Sequence, residues 1–166
     1  MNEIHQLLDD LGGLGPPPHA TECNSGAQHS ETTLPEQLGP VLRFIGTVES
    51  PLTSTVEAPK QGSEGAPDVW IAIHSEFAPG LAGLEVGAQL IVITWLDRAD
   101  RGLLQVHPRD NPQNSLTGVF RTRSADRPNP IGLHPVRLHA IDGNRLRVGP
   151  LEAVDGTPVL DLKPAL

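Results

Sequence analysis

Between Gly118 and Leu133 the sequence GVFRTRSADRPNPIGL sets arginines at 121, 123 and 127 around a proline-braced turn. A guanidinium is a planar fork that matches phosphate or carboxylate, so this segment has the chemistry to read an anion. Period-two spacing predicts that Arg121 and Arg123 share a strand face. Pro128 and Pro130 fix their own φ and bias Arg127 and Asn129 away from helix, which predicts a stiff, extended corner. Stiffness lowers the entropic cost of binding. A purely structural corner, tied by an arginine–aspartate pair, is the competing reading.

A second segment, GPLEAVDGTPVLDLKP at 149–164, places Asp155, Asp161 and Lys163 around one turn and the strand after it. Alternation predicts that Val159, Asp161 and Lys163 share a face. A carboxylate on a face that also buries valine needs a cationic partner, either Lys163 or an arginine of the first segment. A simple salt bridge is again the competing reading. The seven histidines show no metal-ligand spacing. His134 and His139 lie an odd number of residues apart on one strand, so they face opposite ways and share no metal. A histidine so placed is more often a hydrogen-bonding residue of core or surface. The sequence has no glycine-rich dinucleotide or phosphate loop, no HExxH and no GxSxG.

These segments need a scaffold. With 17 Gly and 17 Pro in 166 residues, and 3% aromatics, a helical bundle is disfavoured and a turn-rich β fold is expected. Short apolar runs at Val41–Val48, Val69–His74, Gln89–Leu96, Leu103–Val106, Thr117–Arg121, Leu133–Ile141, Arg145–Val148 and Pro158–Leu162 read as strands, with one short helical turn within Leu81–Val86. Asp142-Gly143-Asn144 reads as a hairpin turn. The expected fold is all-β: a small antiparallel barrel of seven to eight strands, residues 41–166, preceded by an N-terminal extension, residues 1–40. Ile4, Leu7, Leu8 and Leu11 predict a short amphipathic helix there, stopped by Gly12-Gly13 and followed by a flexible polar lead-in.

Net charge is −8, but it is unevenly spread. Residues 1–40 hold six acids and no Lys or Arg, whereas Asp97–Arg147 holds nine Arg against five Asp. Overall acidity argues against non-specific nucleic-acid binding. No apolar run approaches the ~20 residues of a membrane span, and no secretory signal is visible, so a cytoplasmic location is expected. Cys23 is the only cysteine, which excludes an internal disulfide and a cysteine-cluster zinc site.

Together GVFRTRSADRPNPIGL and DGTPVLDLKP resemble the TrmO-type (YaeB-like, TsaA-like) proteins. Weaker matches are IGTVESP at 45–51, PKQG at 59–62 and GLEVGAQLIVITWLD at 83–97, in the family's order. The resemblance implies a β-barrel methyltransferase using S-adenosylmethionine to N6-methylate N6-threonylcarbamoyladenosine beside the tRNA anticodon (position 37). It implies a homodimer with the cofactor near the interface; no metal is expected, from the histidine spacing and the single cysteine given above. Carried over, the cofactor residues would be Lys60, Gln61, Gly62, Asp97, Arg98, Arg123, Leu133, Gly149, Pro150, Leu151 and Glu152. Arg123 would take the cofactor carboxylate, Glu152 would face its positive end, and Leu133 and Leu151 would wall an adenine slot. Arg121, Arg127, Asn129 and Lys163 would meet the substrate, and Asp155 or Asp161 would accept or orient the N6 proton. The chain departs from the family where Asp97-Arg98 replaces a His-Gln pair, and where Glu49 and Ala165 replace an arginine and an aromatic. The alternatives are a same-fold methyltransferase with a different, small-molecule acceptor, and a non-catalytic module that binds the cofactor.

Overall fold

The structure, a computed structural model, describes residues 41–165. Branched apolar residues at every second position make the strands, because only an extended chain sends them all to one side. In β2 (Val69–Ile73) and β3 (Gln89–Trp95) burial alternates residue by residue. The remaining strands are β1 (Gly46–Glu49), β4 (Gln105–Val106), β5 (Thr117–Gly118), β6 (Ile131–Asp142), β7 (Arg145–Gly149) and β8 (Pro158–Pro164). Each falls within or beside an expected strand. The expected N-terminal helix, the polar lead-in and Cys23 lie outside the described residues.

Six strands close into an antiparallel barrel in the order β1-β2-β7-β6-β3-β8, while β4 and β5 form a separate two-stranded ribbon. Closure leaves the barrel no open edge. Inside sit Val48, Ile71, Val92, Leu138, Leu146, Leu151 and Val159, each fully buried. Burying one such side chain stabilises the fold by about 1.5–3 kcal/mol before entropy is counted. Because neighbours are antiparallel, the β1–β2, β3–β6 and β7–β8 connections all emerge at one end, here called the loop end. The β6–β7 hairpin turns at the other end through Gly143, whose φ of 58° suits glycine, and Asn144.

Three local expectations fail for identifiable reasons. Val119–Arg121 is a 3-10 turn rather than the end of a strand, so Arg121 and Arg123 do not share a strand face. The turn is held by Thr122, whose backbone N–H and hydroxyl both donate to the Val119 carbonyl. The helical turn comes earlier than expected, at Ser75–Leu81. On β8, Thr94 pairs with Val159 but Ile93 pairs with Asp161, a bulge that takes up Leu160. The extra residue reverses the alternation. Val159 is therefore buried while Asp161 is turned outward with Lys163 at 2.8 Å, both side chains about half exposed.

Candidate functional site

The loop end gathers segments far apart in sequence. The loop 50–68 carries Lys60, Gln61 and Gly62 and lies against the chain leaving β7. A Cβ on Gly62 would stand 3.0 Å from the Pro150 carbonyl oxygen and 3.3 Å from Glu152 Oε2. The proline-braced corner reaches the same region: Arg123 donates to the Leu133 carbonyl at 3.0 Å, and its charge acts on Glu152. Gly62, Arg123, Leu133, Pro150 and Glu152 thus converge.

Glu152 is anchored from inside the barrel. His134, on the inward face of β6 and only 4% exposed, donates from Nδ1 to Glu152 Oε1 at 2.9 Å. A carboxylate only accepts, so Nδ1 carries the hydrogen, and Nε2 lies 2.9 Å from the buried Thr94 hydroxyl, within hydrogen-bonding distance. Burial pushes the Glu152 carboxyl up. The hydrogen bond and charge of His134, its own backbone N–H and the Arg123 charge outweigh burial and hold it below the ordinary carboxylate value. Gly132 makes the arrangement possible: a Cβ there would lie 2.3 Å from Thr94 Oγ1 and 2.4 Å from His134 Nε2. The glycine of RPNPIG is thus explained by packing. His134 was expected as a hydrogen-bonding residue, but its link to Glu152 and Thr94 was not. The legible signal was an isolated polar side chain among the inward positions 132, 134, 136 and 138.

The Lys60–Glu64 loop is clasped from outside. Lys60 pairs with Asp110, and Glu64 pairs with Arg109 at 2.8 Å. Arg109 and Asp110 both take positive φ, which aims two opposite charges at one loop. Each pair is exposed and contributes little singly, about 0–1 kcal/mol. A cleft of about 280 Å³ beside this turn is lined by Leu103, His107, Asp110, Leu116 and Asp126.

Other expected site residues have different partners. Arg127 is a clamp: its guanidinium donates to the carbonyls of Ser124 (2.7 Å), Thr122 (2.7 Å) and Val119 (3.2 Å). The corner is therefore tied by arginine to backbone rather than to aspartate. Asp126 instead accepts from the Asp100 N–H at 2.8 Å. Arg121 and Asn129 are exposed. Arg98 donates to the carbonyls of Asp155 (2.9 Å) and Thr53 (3.2 Å), so it buttresses the DGTP turn; Asp97 beside it is exposed. Asp155 accepts from the Ser50 N–H at 3.0 Å, one carboxylate oxygen bracing the loop after β1. Glu49 pairs with Arg145 on β7.

Leu133 and Leu151 do not wall a common slot. Leu151 is fully buried in the core, whereas Leu133 is outward and half exposed, because β6 alternates and Gly132 and His134 take the inward positions. Gly149 is buried because Asp68 occupies the space its Cβ would fill. Asp161 and Lys163 lie away from the loop-end cluster. They border a cleft of about 470 Å³, lined also by Ile73, Phe77, Leu81 and Pro164, towards the opposite end. Neither this cleft nor the smaller one is lined by Arg123 or Glu152, so the loop end is the candidate site on the convergence of its side chains and not on cavity volume.

Comparison with known proteins gives a consistent picture. Residues 47–166 match the family described as the tRNA-methyltransferase O N-terminal domain. A "probable S-adenosyl-L-methionine-binding protein" of Archaeoglobus fulgidus is 48% identical over 124 residues, 74% of this chain and 33% of the relative. An "S-adenosyl-L-methionine-binding protein" of the same organism is 43% identical over 123 residues, 74% of this chain and 87% of the relative. The crystal structure of TrmO from Pseudomonas aeruginosa superposes with a TM-score of 0.63 at 28% identity, covering 79% of this chain and 58% of that one. The chain thus spans a third of the first relative and little over half of the solved TrmO.

Proposed function

The chain belongs to the family of the tRNA-methyltransferase O N-terminal domain, and on that premise we propose that it is an S-adenosylmethionine-dependent methyltransferase with its cofactor at the loop end of the barrel. The observation that carries this reading is the meeting of three sequence-distant segments, at Gly62, Arg123 and Glu152, around one anionic and one cationic side chain. S-adenosylmethionine is itself a dipolar ligand, with a carboxylate at one point and a sulfonium and an ammonium at others. Arg123 suits the carboxylate and Glu152 the cationic part. Backbone groups of Lys60–Gly62 and Pro150 complete the binding surface.

When bound, the cofactor supplies a methyl group activated by positive sulfur. Passing that methyl to an acceptor nitrogen would leave S-adenosylhomocysteine, its amino-acid end still held by Arg123 and Glu152. The nitrogen gives up one proton. The barrel contributes positioning, which is a large part of the rate of an in-line displacement. Asp155 is the candidate proton acceptor at this end, with one oxygen engaged by Ser50. Asp161 stands apart, on the outer face of β8.

The acceptor we propose is N6-threonylcarbamoyladenosine in tRNA, with exposed Arg121 and Asn129 meeting phosphate or base edges. A homodimer would complete the cleft beside the arginine corner, and tRNA as partner puts the work in the cytoplasm. Among the described residues no helix is long and apolar enough to cross a membrane. A different, small-molecule acceptor is favoured by one observation: Arg98 donates to two backbone carbonyls and Arg145 pairs with Glu49, which leaves fewer arginine donors free for phosphate. Mass spectrometry of tRNA nucleosides from a deletion strain decides. Loss of the methylated threonylcarbamoyladenosine supports the tRNA acceptor, and an unchanged level in a strain without a second copy contradicts it.

A further inference from the structure

The buried chain from Thr94 through His134 to Glu152 is more than a satisfied core histidine requires. A core imidazole needs one partner for each ring nitrogen, and backbone carbonyls or water would serve. Here the outer partner is a carboxylate at the barrel mouth, its side chain 22% exposed. His134 is fixed in depth by β6, which pairs it with Val92 on β3. It is fixed in rotation by Thr94, on the neighbouring inward position of the same strand. Gly132 leaves the room that the Thr94 hydroxyl and the ring share. The geometry therefore holds one carboxylate oxygen, Oε1, on His134 and leaves Oε2 directed at the Gly62 loop.

We propose that His134, oriented by Thr94, is a positioning residue: it holds Glu152 with its free oxygen aimed at a cationic group of the bound cofactor. This rests on the reading that the loop end binds S-adenosylmethionine. Two groups of that ligand share the required chemistry, the α-ammonium and the sulfonium. A carboxylate free to rotate would lose entropy on meeting either one, whereas one already held by a rigid barrel side chain does not. Held in this way, Glu152 also stays paired in the empty protein, so its buried charge is not stranded between turnovers.

Calorimetric titration with S-adenosylmethionine and, separately, S-adenosylhomocysteine tests this on the full chain and three variants. His134→Leu removes the donor at similar volume. His134→Asn keeps a side-chain N–H near the position of Nδ1. Thr94→Val removes only the hydroxyl. Charge-assisted hydrogen bonds of this kind are strong enough that His134→Leu should weaken S-adenosylmethionine binding by about tenfold or more. His134→Asn should stay within about threefold of the parent, and Thr94→Val should fall between them. Equal losses for both ligands assign the contact to the ammonium, and a loss confined to S-adenosylmethionine assigns it to the sulfonium.

A folded His134→Leu protein that binds like the parent overturns the proposal. So does His134→Asn binding as poorly as His134→Leu. If His134→Leu does not fold, nitrogen NMR of the parent's ring decides instead: a proton on Nδ1 supports the arrangement, and a neutral ring protonated on Nε2 alone overturns it. A parent protein that binds neither ligand refutes the cofactor reading itself, a result separable from all of these.

Discussion

Gly132 offers the sharpest test of the packing around the site. In Gly132→Ala the new methyl group would fall 2.3 Å from Thr94 Oγ1 and 2.4 Å from His134 Nε2, well inside van der Waals contact. Neither atom is the end of a flexible chain: Thr94 is 0% exposed and His134 4%. One of them must move, and the Thr94–His134 hydrogen bond breaks when it does. Overpacking a core of this kind costs about 1–3 kcal/mol. Leaving a buried polar group unpartnered costs about 1–3 kcal/mol as well. Shared strain makes the two less than additive, so about 2–4 kcal/mol is expected. For a domain of this size that lowers the melting temperature by roughly 6–16 °C. Gly80→Ala is the control, because nothing lies within 4 Å of a Cβ there and its φ is not positive. Thermal melts followed by circular dichroism decide the matter. A Gly132→Ala protein melting within about 2 °C of the Gly80→Ala control would refute the claim that this glycine exists to seat the Thr94–His134 pair.

Glu152 should give the protein an acid limb. Its folded pKa lies below the ordinary 4.5, so the stability it adds is full above that value and is lost as pH falls through the depressed folded value. Glu152→Gln should flatten that part of a melting-temperature profile between pH 6 and 3, and an unaltered profile would contradict the pairing. Arg127→Lys keeps the charge but cannot donate to three carbonyls at once. It should lower stability by about 1–3 kcal/mol and speed amide exchange over 119–124, whereas unchanged exchange would return Arg127 to a role in substrate contact. Arg123→Ala should weaken S-adenosylmethionine binding by about tenfold while leaving the melt near the parent's, since its one hydrogen bond is exposed. Equal affinity in calorimetry would remove Arg123 from the cofactor site.

The long barrel strands were legible because they carry their own mark: apolar residues on alternate positions and a turn signal at the end. Their order around the barrel was not. β1 closes on β8, and β2 on β7, across gaps of about 75 to 110 residues, and no local pattern records a partner so distant. The bulge at Leu160 was equally silent. One inserted residue reverses every later side chain, which is why Asp161 faces out where alternation placed it in. The arginine corner was recognisable by its prolines, but sequence spacing could not show that Arg127 would turn back onto carbonyls three to eight residues before it. Glu152 was found through the family motif, whereas its anchor His134 lay in a different segment and reaches it only because β6 runs past the exit of β7.

A crystal structure of the protein with S-adenosylhomocysteine would test the assignment of the loop end most directly. The ligand should lie against the rim that the Lys60–Gly62 loop and Pro150 form together, its carboxylate near Arg123 and its ammonium within hydrogen-bonding reach of Glu152. Density for the ligand in the cleft beside Phe77 and Lys163 instead, with Glu152 and Arg123 untouched, would contradict it.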